Sequence, residues 1–124
     1  MPPSPEVERA VAKIAEITQI PAEAILSREG SDPFRAVGKL SAYQRDVVWA
    51  RHVAIYAVWQ KVFLGKGSQK NYTGTIDVAR AFDRSRGGAR HAIRSIAQEI
   101  VMGERHGLHL PPTHEVVGDV MDAI

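Results

Sequence analysis

Hydrophobic side chains recur along this chain at the spacing of buried helix faces, and the breaks between them divide it into helices. Val7, Val11, Ile14 and Thr18 form the first stripe, and Ser4-Pro5-Glu6 stands ahead of it as a start signal. Serine caps, proline suits the first helical position, and glutamate favours the positive end of the dipole. The pattern predicts a helix over 5–18. Pro21 opens a short second helix through Leu26, ended by Ser27-Arg28-Glu29-Gly30. Ser41-Ala42-Tyr43-Gln44 carries the hydroxyl and the amide of a capping box. The helix it starts runs to Leu64 and stops at Gly65, roughly 35 Å at 1.5 Å per residue. Val47, Val48, Ala50, Val53, Ala54, Ile55, Ala57, Val58 and Val62 leave it apolar on most sides, as suits a central rod surrounded by other helices. Tyr56, Trp59 and Phe63 form an aromatic row on that rod, read as core or as a partner surface.

Residues 75–102, TIDVARAFDRSRGGARHAIRSIAQEIVM, carry two stripes at once. Thr75 to about Ala81 reads as one helix, Phe82 to Arg84 as a turn, and Ser85 onward as a second helix. Ala79 is small where the two would cross, while Val78 and Phe82 point inward. Ala89, Ile93, Ile96 and Ile100 give the second helix one buried face. Arg86, Arg90 and Arg94 recur every four residues on another face, and no acidic residue occurs from Arg84 through Gln98. A buried stripe opposite a purely basic one is what a major-groove recognition helix needs. The competing interpretation is a solvated arginine face with no ligand. Each glycine of Gly87-Gly88 costs about 1 kcal/mol inside a helix. Either the missing side chains let a helix N-terminus approach phosphate, or the helix begins only at Ala89. Further on, Gly107 breaks the chain and Pro111-Pro112 keep it extended. Thr113 then caps a short helix with Val116, Val117, Val120 and Ile124 on one side and Glu115, Asp119 and Asp122 opposite. This divides the chain into a helical domain over 1–106 and an acidic, apolar tail over 107–124, which docks either on its own domain or on a partner.

The 124 residues, 44% of them hydrophobic, make one small domain with room for one core. No apolar run reaches the length of a bilayer and MPPSPEVE lacks a signal-peptide pattern, so a soluble, cytoplasmic protein is expected. The absence of cysteine excludes disulfides and thiolate metal sites. The net charge of +2 hides an uneven distribution. Residues 31–98 hold twelve Lys and Arg against Asp32, Asp46, Asp77 and Asp83, whereas both ends are acidic. A basic middle of this kind favours a polyanion as partner, and nucleic acid is the commonest. Residues 28–40, REGSDPFRAVGKL, read as a long basic loop, an arm for phosphate or the minor groove or an ordinary connector. Residues 65–74, GKGSQKNYTG, resemble a phosphate loop only superficially, since the nucleotide-binding spacing and its preceding strand are missing. His106, His109 and His114 straddle Gly107 and Pro111-Pro112 and read as solvated loop histidines, not as ligands. No nucleophile or paired carboxylate is placed beside His52 or His91. The expectation is therefore no enzyme, no cofactor and no metal.

The order of segments has a precedent. IPAEAILS, a basic loop, WARHVAIY, DVARAF and DRSRGGARHAI together resemble the C-terminal DNA-binding domain (domain IV) of the replication initiator DnaA. The likeness covers about Val7 to Val101 and is firmest in Ala50-Arg51-His52-Val53-Ala54-Ile55-Tyr56 and His91-Ala92. Aligning His91-Ala92 puts Arg84 on the signature arginine, with one residue fewer after Phe82. Ser85 and Arg86 then stand where the family has the Asp and His that contact bases, and Gly87-Gly88 replace its hydroxyl pair. The resemblance implies an all-α fold of the DnaA domain IV or Trp repressor-like kind, with a long central helix and a helix-turn-helix. It also implies a base readout different from the initiator's. No ATPase module accompanies it, which makes the chain similar to the free-standing DnaA-like part of gene transfer agent and prophage activators. Those work with a sigma-factor-like segment at RNA polymerase, so the 107–124 tail is the expected site of such a contact.

The function expected is sequence-specific binding of double-stranded DNA by a transcription regulator. Ser85, Arg86, Gly87, Arg90 and Arg94 are the expected base-contact residues. Arg35, Lys39, Arg45, Arg51, Lys66, Lys70, Thr75, Arg84, Gly88 and His91 are the expected backbone contacts. The alternatives are a replication modulator that competes with the initiator at an origin, and a protein-interaction module that does not bind DNA.

Overall fold

The computed structural model describes residues 4–27, 42–64, 74–103 and 109–124, and among them every element is helical, with no strand. The all-α expectation holds. Helix α1 spans Pro5–Thr18, and the Ser4 side chain accepts a hydrogen bond from the Val7 amide at its start. It buries Val7, Ala10, Val11 and Ile14 completely or nearly so. The chain leaves α1 through Gln19, whose amide still donates to the Ala15 carbonyl (2.8 Å) and whose left-handed φ of 62° ends the helix there. Helix α2, Ala22–Leu26, follows within three residues and buries Ile25.

Helix α3 spans Ala42–Val58 and occupies the centre, packing against α1, α2 and the three helices later in the chain. Ala50, Val53, Ala54, Ile55, Ala57 and Val58 are buried on several sides of it, as its all-round apolar pattern predicts. The expected uninterrupted rod to Leu64 is not formed. Beyond Val58 the chain opens into a π-helical turn, Trp59–Phe63, closed by the Leu64 amide on the Trp59 carbonyl at 2.8 Å. The wider turn carries Val62 and Phe63 against the core edge. Tyr56 and Trp59 pack there too, their rings 5.6 Å apart, so the aromatic row is a half-buried margin of the core.

After residues outside the described set come helix α4, Thr75–Ala81, and helix α5, Arg86–Met102, both packed on α3 and on each other. The last helix, α6, Thr113–Ala123, closes the core against α1 and α3. Its docking was left open by the sequence, and the structure resolves it. Val116, Val117 and Val120 are buried in the common core. Three polar ties hold its ends: Trp49 Nε1 donates to Thr113 Oγ1 (3.3 Å), Lys61 Nζ to the Met121 carbonyl (2.7 Å), and His109 Nε2 lies 2.8 Å from Asp46 Oδ2. Thr113 is not the cap that the sequence suggests. Pro112 holds that position, and the Thr113 hydroxyl lies fully buried as a partner for indole.

Candidate nucleic-acid interface

Gly74 starts the basic segment. It takes a left-handed φ of 73° at the head of α4, and a Cβ there would meet Phe63 Cβ and carbonyl oxygen at 2.6 Å. Only glycine lets the chain pass so close to the π turn and still enter a helix. Seven residues long, α4 ends at Ala81 with Phe82 as its cap. The Asp83 amide donates to the Arg80 carbonyl (3.1 Å) and the Arg84 amide to Ala79 (2.8 Å), with Asp83 left-handed at φ 54°. This is the paired closure of a Schellman motif, with aspartate where glycine is usual. Ser85 is then extended, and its Oγ accepts from the Gly88 amide at 3.0 Å, capping α5.

Four residues, Phe82 to Ser85, thus separate two short-linked helices, and their crossing is apolar. Val78, Ala79 and Phe82 of α4 and the turn are buried, as are Ala89, Ala92 and Ile96 of α5. Two details of the expected α5 face change. Ala92, with too small an apolar side chain to register in a stripe of isoleucines, is fully buried, while Ile100 is 39% exposed because α5 runs past the end of the core there. Gly87 and Gly88 lie inside the first turn of α5, so the helix does not wait for Ala89. A Cβ on Gly87 would meet nothing within 4 Å, so that position opens to solvent.

The outer side of α5 carries the candidate contacts. Ser85, Arg86, Gly87, Gly88, Arg90, His91 and Arg94 are all exposed. Arg86, Arg90 and Arg94 make no ion pair among the described residues. Spaced by four, they cover about 12 Å of helix length, comparable with the width of a B-DNA major groove. Arg80 and Arg45 are exposed as well, and Thr75 is half-buried at the first position of α4. Arg35, Lys39, Lys66 and Lys70 lie outside the described residues.

Two expected backbone contacts are turned inward. Arg51 is only 3% exposed, and its Nε and Nη2 donate to the carbonyls of Ile25 (2.7 Å) and Ala24 (3.0 Å). Burial, and then the nearby Arg84, lower its pKa to about 10, so it remains a cation at neutral pH. Arg84 is half-buried and donates through Nη2 to the carbonyls of Leu26 (3.2 Å) and Ser27. Both guanidiniums serve the C-terminal end of α2, whose last carbonyls have no intrahelical donors. A signal for Arg51 did exist. It falls four residues after Val47 and three before Ala54, on a buried side of α3.

His52 sits beside that pair, its ring 5.5 Å from His91 and nearly perpendicular to it. Burial first, then His91, Arg51 and Arg84, lower the His52 pKa to about 4, so it is neutral at physiological pH. His109 is engaged with Asp46, and no group of three metal-ligating side chains occurs among the described residues. No described helix is long and apolar enough to cross a membrane. No family model, curated protein or solved structure matches the chain.

Proposed function

We propose that the chain is a DNA-binding domain in which α4, the turn and α5 act as a helix-turn-helix on duplex DNA, within a transcription regulator of the bacterial cytoplasm. The observation that carries this reading is the exposed, carboxylate-free row Arg86, Arg90 and Arg94 on a helix whose opposite side is buried. Arginine can donate a bidentate pair to guanine in the major groove, worth about 1–3 kcal/mol of discrimination. Ser85 and the two glycines keep the helix start slim beside the bases or phosphates. Arg45, Arg80, Thr75 and His91 supply backbone contacts around it, and the likeness of the WARHVAIY and RHAI segments to the initiator's DNA-binding domain supports the same assignment. Because α6 spends its apolar side on its own core, a sigma-factor-like or polymerase-associated partner would meet its exposed acidic side, Glu115, Asp119 and Asp122.

The test is selection of bound sequences from a random duplex pool by the wild type and by Arg90→Ala. The expected result is a defined motif for the wild type and relaxed preference at one or two guanines for the variant. Recovery of the same motif by both proteins assigns Arg90 no reading role, and recovery of no motif at all removes sequence-specific binding.

A further inference from the structure

Helix α2 is five residues long and ends at Ser27 in extended conformation, with no left-handed cap of its own. Its terminal carbonyls are instead served from two other places in the chain. Arg51 of α3 takes Ala24 and Ile25, and Arg84 of the α4–α5 turn takes Leu26 and Ser27. α2 itself packs on α1 and α3, so the turn reaches it through the Arg84 side chain. Arg84 immediately precedes Ser85, the cap of α5, and Arg86, its first residue. Two like charges held close together, each on its own pair of adjacent carbonyls at the end of α2, form a specific arrangement whose planar forks fix direction as well as distance.

We propose that Arg84, seated beside Arg51 on the end of α2, is a positioning residue that sets the angle of α5's N-terminal end toward DNA without itself touching a phosphate. This rests on the functional reading above. Recognition helices meet base edges with their first residues, and in this chain the residue just ahead of the α5 cap is tied to the end of α2 by its guanidinium. Releasing it leaves the hydrophobic α4–α5 crossing in place but lets the first turn of α5 sample directions that miss the groove.

The ionic-strength dependence of binding separates positioning from contact. A cation that neutralises a phosphate contributes about one unit to the slope of log affinity against log salt, and its loss removes that unit. Affinity of the full chain for its selected duplex is measured over a range of salt for the wild type, Arg84→Lys and Arg84→Ala, with helical content checked by circular dichroism. The expected result is about tenfold weaker binding by Arg84→Ala and a smaller loss by Arg84→Lys, both with the wild-type slope. If Arg84→Ala loses helical content, Arg84→Gln, which keeps length and a donor but no charge, carries the slope test. A slope lower by about one makes Arg84 a direct phosphate contact, and undiminished affinity in a folded variant makes it neither; either overturns the proposal. A wild type that binds no duplex overturns the functional reading and takes this inference with it.

Discussion

At single positions the fold is most exposed to change where backbone and side chain leave no slack. Gly74 combines positive φ with contact against the Phe63 backbone. Gly74→Ala should therefore cost about 3 kcal/mol, from left-handed strain plus overpacking. Urea denaturation will show it, and a loss under 1 kcal/mol would mean the π turn gives way easily. His52 offers a pH-dependent test. The unfolded chain takes up a proton at this residue near pH 6.5, the folded protein only near pH 4. Stability contributed by neutral His52 is thus fully present above pH 6.5 and declines as pH falls toward 4, by at most about 1.4 kcal/mol per pH unit. His52→Gln should flatten that part of the stability profile relative to the wild type. Parallel profiles would show that His52 is protonated in the fold without penalty. Arg51 carries the lesson about reading single residues. A cation inside an apolar run suggests a ligand outside, yet its helical position faces a neighbouring helix end that needs donors.

Among the elements, the start of α1 is legible in the sequence, whereas the start of α6 and the interior of the central helix are not. Ser4 caps α1 as its sequence suggests, because capping depends on neighbours three residues away. The π turn at Trp59–Phe63 has no such local signature, since its wider hydrogen bond answers to packing around Phe63 and Gly74. The glycine pair at the start of α5 is ambiguous for a different reason, two local signals that oppose each other. Helix propensity argues against it, while the Ser85 cap on Gly88 keeps it helical. Gly87→Ala places a methyl in open space and should stabilise the protein by up to about 1 kcal/mol. If the bare backbone is there for close approach to DNA, the same substitution weakens duplex binding severalfold. Higher melting temperature with unchanged DNA affinity would assign the glycines no part in binding.

For the whole molecule, the partition of charge was legible and the partition into domain and tail was not. Stripes in the sequence specify that α6 has an apolar side, but they do not say what covers it. The cover is the core formed by α1 and α3, secured by the buried Trp49–Thr113 pair and by Lys61. Docked there, α6 turns its acidic side outward, while α5 turns out a row of three arginines. That separation of charge by surface is the basis for placing DNA on α5. The most direct test compares the wild type with the triple variant Arg86→Ala, Arg90→Ala, Arg94→Ala in a salt titration of duplex binding. The expected outcome is a steep wild-type slope and a variant slope shallower by about 2–3, with affinity reduced at least a hundredfold at low salt. Equal slopes and affinities in two folded proteins would contradict the account, because the arginine row would then face solvent with no ligand to meet.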